Sequence, residues 1–401
     1  MKRVSVNAGA ILSLLLALVA PIAMPSASVT AEPLRITAQG TGTVFTDWTK
    51  FHFDNASTGF NPYETILGPS NVNGLVPAWI TNVGKVTSSP AVVGGLVYIG
   101  SNGPGLAEAD LTALHADTGL VAWKRKTRGD TAGSPTLWNG LVYLGTLDDH
   151  TLRAFDAATG SPRWSFTGVG AMGAPVVDHQ RLFVPSNTGI LYALNPLTGA
   201  KKWEATTGGI LAQSVAVAQA KIFTASDDHY LYAFDERTGR RVWRKPIHDQ
   251  TGGVPAVSRG VMYVGSGALD AHLYAFDAAT GALSWSTPAG AAVNSSPAVA
   301  YGLVYVAAGD GVIRAFDAST GIQQWSVPTG NSFGPESPVV ANGVVYMGAE
   351  DHKVYAIDAI SGNVLWTYTT GDQLADTAAV ANGVVYTGSF DQNLYAFHLA
   401  G

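Results

Sequence analysis

The chain has 401 residues, of which only 13% are charged, with 46 glycines and no cysteine. This mix suits many short strands joined by tight turns and argues against helices patterned with Glu and Lys. The missing cysteines exclude disulfides, thiolate metal sites, a cysteine nucleophile and c-type haem attachment, and a net charge of −6 without a dense basic cluster leaves no footprint for a nucleic-acid backbone.

The N-terminus reads as an export signal. Lys2 and Arg3 precede an apolar run over residues 10–20 that is too short to span a bilayer, and Pro21 ends it. Small residues follow, and Val29-Thr30-Ala31 supplies a cleavage site of the A-x-A kind, with Ser26-Ala27-Ser28 as a second choice and a retained membrane anchor as the alternative reading. Loss of Lys2 and Arg3 with this leader takes the net charge from −6 to −8. The expected organisation is therefore a signal peptide over 1–31, a lead-in segment over 32–75 and one repeat domain over 76–401. The expected location is the secreted or periplasmic space of a bacterium. A lipid-anchored start is not expected, since that needs a cysteine. No segment after the signal is expected to cross a membrane, and a monomer is expected.

From Trp79 onward a tryptophan returns about every 40 residues: Trp79, Trp123, Trp164, Trp203, Trp243, Trp285, Trp325 and Trp366. Fixed-period self-similarity of this kind marks a repeat architecture. One unit, residues 296–330, reads as four strands. Ser296-Pro297-Ala298-Val299 is the first, Leu303 to Ala307 the second, Val312 to Asp317 the third, and Gln324 to Val327 the fourth. Tyr301-Gly302, Gly309-Asp310-Gly311 and Ser319-Thr320-Gly321 are the turns between them. A Val-Tyr-type second strand and an Ala-centred third strand each occur eight times, the alanines being Ala113, Ala154, Ala193, Ala233, Ala275, Ala315, Ala356 and Ala396. A small residue at a constant place predicts crowding between neighbouring sheets, and each Trp is expected to pack between them. Arg240-Arg241 and Arg244-Lys245 flank Trp243 and read as a solvated outer strand.

The ends of the series are complementary. The last unit stops after its third strand at Gly401, whereas Val76-Pro77-Ala78-Trp79-Ile80 precedes the first complete unit. That N-terminal strand can complete the last blade. The prediction is an all-β, eight-bladed propeller of four-stranded antiparallel blades, closed so that no sheet edge is left open.

The succession Ser-Pro-Ala-Val, Gly-Leu-Val-Tyr-Val, Leu-Tyr-Ala-Phe-Asp-Ala-x-Thr-Gly and Trp, over residues 79–398, resembles the PQQ-like repeat family of eight-bladed propellers. Residues 47–54 and 58–62 resemble the segment that precedes the first blade in exported members. The resemblance implies one of two branches. Quinoprotein dehydrogenases hold pyrroloquinoline quinone (PQQ) and calcium over the central channel. BamB-like proteins carry the same repeats without a cofactor and act as scaffolds in outer-membrane protein assembly. This chain lacks the long insertions of the first branch and the adjacent cysteines many of its members place against the quinone.

Two sets of polar residues are candidates for chemistry. One is a recurring acid-histidine turn: Asp148-Asp149-His150, Asp227-Asp228-His229, Asp270-Ala271-His272 and Glu350-Asp351-His352, with Asp310 and Asp391 in comparable places. It reads as turn-tightening Asp rather than as a ligand ring, because the copies fall in different blades. The other set lies in the loops that enter the first strands, which should meet at the channel mouth. These positions differ from blade to blade: Ser88, Asp130, Thr131, Gln213, Gln250, Asn294, Glu336 and Asp376. Of these, Asp130, Gln213, Gln250, Asn294, Glu336 and Asp376 are the cofactor-site candidates, and Asp130, Asn294, Glu336 and Asp376 could offer hard oxygens to Ca²⁺. No catalytic residue stands out. The first functional expectation is a non-catalytic binding or assembly scaffold for a protein, peptide or envelope component, with no cofactor. The second is a PQQ- and Ca²⁺-dependent dehydrogenase acting on alcohols or sugars, and the third a structural module of a surface layer.

Overall fold

The computed structural model describes residues 47–102, 109–131, 133–331, 334, 336–374 and 376–401. The expected signal peptide and residues 32–46 of the expected lead-in segment lie outside them. Eight antiparallel sheets are arranged as blades, spanning residues 91–126, 136–167, 176–206, 216–246, 256–288, 298–328, 339–369 and 379–399. Each inner strand is three residues long, and each touches the next in order until the eighth touches the first. The ring is therefore closed.

The closing strand is the one expected. Leu75–Asn82 pairs antiparallel with Asn393–Leu399 in the eighth blade. Its register sets Trp79 opposite Ala396, as Trp123 lies opposite Ala113 and Trp325 opposite Ala315 in their own blades. The irregularity just before the Trp, present in the outer strands of the other blades, is repeated here at Pro77/Trp79. A strand from the far end of the sequence thus reproduces even the bulge of a native fourth strand.

The Trp period follows from how blades dock. The indole N–H of Trp79 donates to Ala116 O, that of Trp123 to Ala157 O, that of Trp164 to Pro196 O and that of Trp325 to Ala359 O, all at 2.9–3.0 Å and all in the following blade. The second-strand tyrosine converges on the same carbonyl: Tyr98 Oη reaches Ala157 O, and Tyr305 Oη reaches Ala359 O, each at 3.2 Å. The glycine of the same turn lies under the indole. A Cβ on Gly119 would sit 2.6 Å from Trp79, and Gly119 holds φ +68°, so both space and backbone require glycine. In the equivalent turn of blade 2 an Asp fixes the conformation, since Asp156 Oδ1 accepts from both the backbone N–H and the hydroxyl of Thr159 at 2.9 Å. Asp, Thr, Gly and the Trp of the preceding blade are one interlocked unit.

All eight turns between first and second strands have positive φ at both central residues, as in Asn139-Gly140 and Tyr301-Gly302. This is the type I′ geometry whose twist matches a two-stranded ribbon.

The inner strands leave one edge of each blade facing the axis. Residues 47–61 run around the channel and cover those edges blade by blade. Trp48 exchanges two backbone hydrogen bonds with Val92, at 2.7 and 2.8 Å, and Leu137 N donates to Thr49 O. Asn55 Nδ2 donates to Val177 O, while Val217, Val257, Val299 and Val340 donate their N–H groups to the carbonyls of Asn55, Ala56, Thr58 and Gly59. Asn61 Nδ2 reaches Val380 O at 2.8 Å to finish the circuit. One short segment therefore supplies a partner to the central residue of every inner strand, which is what buried backbone groups require. Trp48 and His52 are fully buried and Lys50 nearly so.

Trp79→Ala removes a buried indole, its hydrogen bond to Ala116 and its cover over Gly119. It should lower unfolding stability by about 3–5 kcal/mol in urea titrations. Deleting residues 32–82 should be worse, because it uncovers the edge at Asn393–Leu399 and the axial edges together. A deletion variant with unchanged melting would refute this closure.

Candidate channel-mouth site

The ring position just before each Ser-Pro-Ala-Val motif decides what the channel mouth offers. In chain order it holds Ser88, Gly133, Gly173, Gln213, Gly253, Ser295, Glu336 and Asp376. The glycines mark places without room: a Cβ on Gly133, Gly173 or Gly253 would fall 2.3–2.5 Å from the backbone of the next blade. The motif serines join the blades below them. Thr377 N donates to Ser89 Oγ, Ser89 N to Ser134 Oγ, and Ser296 N to Ser337 Oγ, at 2.9–3.0 Å.

Ser88 and Ser295 share a structural task. Each hydroxyl accepts from an N–H of the second strand of its own blade, Gly100 at 2.8 Å and Ala307 at 3.0 Å. Asp376 takes the same task in blade 8, where Oδ2 accepts from Gly388 N at 2.9 Å and Oδ1 from the Thr387 hydroxyl at 3.0 Å. Glu336 does not. It is 1% exposed and its Oε2 has no hydrogen-bond partner. Burial lifts its carboxyl to about 7, with Glu350 adding in the same direction. Burial also lifts Asp376 to about 7, against its two hydrogen bonds, and Glu336 contributes repulsion.

Ser88, Gln213 and Asp376 line one cavity of about 40 Å³ together with Phe51, whose backbone belongs to the axial segment. This is room for a few water molecules. The remaining candidates lie elsewhere. Asp130 is tied to the second turn of its blade, its N–H donating to Asp148 and its carbonyl accepting from Leu147, both at 2.8 Å. Gln250 is exposed, with its carbonyl held by Gly267 N. Asn294 is half-buried one residue before the ring position. Among the described residues, the acids of the Ca²⁺ set do not bring three ligand atoms together.

A quinone with three fused rings does not fit the described cavity. Calcium asks for six to eight oxygens, whereas both Asp376 oxygens are already engaged and Glu336 offers one free atom. No chemical step is therefore assigned to either group.

The acid-histidine turns behave as turn devices. Asp228, Asp270, Asp351 and Asp391 each accept the hydroxyl of the tyrosine four residues on, at 2.5–2.6 Å for the first three. Asp310 pairs with Arg314 at 2.5 Å, and Asp149 with Arg153. His150, His229 and His352 occupy the position of positive φ. His272 does not belong with them: Ala271 holds that position in blade 5, and His272 opens the strand His272–Asp277.

The mouth face is also uneven in a way the repeat does not announce. Leu147, Val169, Ile210 and Leu269 are 39%, 58%, 48% and 90% exposed on the turns and entry loops of blades 2 to 5. Acidic side chains hold the turns between second and third strands in blades 2, 4 and 5 as well (Asp148, Asp227 and Asp270), as Asp310, Glu350 and Asp391 do in blades 6 to 8. Only the count of exposed apolar side chains at loop tips could have raised this from sequence.

The buried acids imply a pH dependence. Both carboxyls rise above their ordinary values of 4.5 and 3.8 in the fold. The fold thus favours their protonated forms, so their stabilising contribution is complete below about pH 4 and is lost as pH rises through about 7. Melting temperature should fall between about pH 5 and 8, and Glu336→Gln with Asp376→Asn should flatten that fall relative to the unaltered chain. An identical profile in the double variant would contradict the assignment.

A family profile described as outer membrane protein assembly factor BamB matches residues 76–226 and 227–401. The chain is 25% identical over 190 residues to tetrathionate hydrolase of Acidithiobacillus ferrooxidans, covering 39% of this chain and 36% of that protein. It is 25% identical over 216 residues to outer membrane protein assembly factor BamB of Burkholderia pseudomallei, covering 49% of this chain and 51% of that protein. It thus matches about half or less of the length of these relatives. The fold matches a crystal structure of quinohemoprotein alcohol dehydrogenase from Comamonas testosteroni with TM-score 0.76 at 16% identity, over 88% of this chain and 81% of that one. With the profile spanning most of its length, the chain belongs to the PQQ-like repeat family described as outer membrane protein assembly factor BamB.

Proposed function

We propose that this chain is an exported, non-catalytic propeller that binds a protein or peptide over its channel-mouth face. The observation that carries this reading is the arc of exposed Leu147, Val169, Ile210 and Leu269 on neighbouring blades. Apolar side chains exposed at the loops of adjacent blades offer a partner area to bury. The plugged axis supports it, since residues 47–61 occupy the space a buried ligand would need. The family likeness to assembly factors points the same way. Export rests on the signal-like start at residues 1–31. Among the described residues no helix is long and apolar enough to cross a membrane.

The test uses the full chain crosslinked in its native envelope. Protein recovered there should begin at Glu32. Leu269→Glu and Ile210→Glu should each lower the yield of the specific adduct at least tenfold while leaving the melting temperature unchanged, because both side chains are already solvated. Adduct yields equal to those of the unaltered chain would remove this surface from consideration.

The second reading is a PQQ- and Ca²⁺-dependent dehydrogenase. Its one favourable observation is the unpartnered buried oxygen of Glu336 beside Asp376. Calorimetric titration with PQQ and Ca²⁺ together should give no heat of binding, and dye-linked alcohol oxidation should stay at background. Saturable binding at the micromolar level would reverse the order of the two readings.

A further inference from the structure

The face opposite the channel mouth carries a second constellation, independent of the reading above. It consists of Asp178 and His179, at the first turn of blade 3, and Glu236, at the last turn of blade 4. We propose that these three residues bind a divalent transition-metal ion of the zinc class.

The repeat itself supplies the control. The place of Glu236 is filled by Ala116, Ala157, Ala278, Ala318 and Ala359 in other blades and by Pro196 in blade 3. The place of Asp178 is alanine at Ala218, Ala300, Ala341 and Ala381, and that of His179 is asparagine at Asn139, Asn342 and Asn382. Three departures from the repeat, in two neighbouring blades, converge on one point. Their ligand atoms all lie within 4.8 Å of one another.

The geometry favours a cation over a shared proton. His179 Nδ1 is 3.0 Å from Asp178 Oδ2 and 3.3 Å from Glu236 Oε1. A tetrahedral ion with bonds of about 2.0–2.1 Å sets its ligand atoms about 3.3 Å apart. An imidazole N–H points in one direction and serves one acceptor. The ring serves Asp178, and Glu236 Oε1 is left without a hydrogen bond although the residue is only 4% exposed. Arg181 approaches that oxygen at 3.7 Å, outside hydrogen-bond range, and offsets one of the two carboxylate charges. The remaining charge still favours a dication. The other Asp178 oxygen accepts from Asn55 Nδ2 at 3.3 Å, the kind of outer contact that orients a ligand. Asn55 belongs to the axial segment, so the site is assembled from blade 3, blade 4 and the plug. Exposure of His179 leaves a fourth position open to water. One further disturbance lies beside it. Trp203 is the one described ladder indole whose N–H finds no partner, and the carbonyl it would reach in the next blade belongs to Glu236.

The test uses untagged full-length chain titrated with Zn²⁺, and with Co²⁺ as a spectroscopic probe. One equivalent of Co²⁺ should give the intense visible absorption of a four-coordinate ion, displaced by Zn²⁺ and untouched by excess Mg²⁺ or Ca²⁺. Glu236→Ala, Asp178→Ala and His179→Asn each restore a residue the repeat already uses, so the fold is kept. Each should weaken Zn²⁺ binding by at least about tenfold, and Asn55→Ala should weaken it by about tenfold through loss of orientation. Circular dichroism and melting of the metal-free variants establish that they are folded. Absence of stoichiometric binding, or equal binding by all three ligand variants, overturns the proposal. In the second case the ion sits on other histidines.

Discussion

One carbonyl per blade organises this molecule. The indole N–H of the preceding blade donates to it, and in several blades a tyrosine hydroxyl does too, while the glycine beside it lies flat under the indole. Blades are small sheets with two apolar faces, and alone none could bury both. The docking turn supplies a directional contact on top of non-directional burial, so each blade meets the next at one angle and one height. The indole bond is made at seven of the eight interfaces, Trp203 being the exception, and the repeated step closes a circle. Trp366 makes the same bond to Leu75 O at 3.0 Å, handing the ring from the end of the chain to its beginning.

Closure solves the outer edges and creates an inner problem. Eight inner strands point unpaired backbone at a common axis, and buried backbone groups need partners. Residues 47–61 answer it by donating or accepting at the central residue of every inner strand in turn. The consequence for function is steric. A propeller whose inner edges are covered by its own chain has little room for a ligand at depth, and the proposed recognition is therefore placed on its faces. The mouth face carries the apolar arc of blades 2 to 5, and the opposite face carries Asp178, His179 and Glu236.

Function in such a protein is written where the repeat breaks. Asp376 shows that a departure can be structural, since its carboxylate does what the hydroxyls of Ser88 and Ser295 do in their blades. Glu336 departs without taking up that bond, and Glu236 replaces an alanine with a buried charge. Separating these cases needs hydrogen-bond partners as well as residue types. The acid-histidine turns are the converse case: conspicuous in sequence, they resolve into Asp–Tyr and Asp–Arg contacts within single hairpins.

The sequence by itself determined the strand order, the blade number and the closing partner of Trp79. These are local periodicities, and the ring must satisfy each of them at every repeat. It also named Glu336 and Asp376 as acids near the mouth. It could not say that Asp130, Gln250 and Asn294 fall outside the central cavity, because a loop of a few residues is placed by the blade that follows. Nor could it pair Asp178 and His179 with Glu236, which lie more than fifty residues apart and meet only across a blade interface. The filled axis was decided by tertiary structure alone. Residues 47–61 have no period and no strand pattern, and take their shape from the ring of unpaired strand edges they cover.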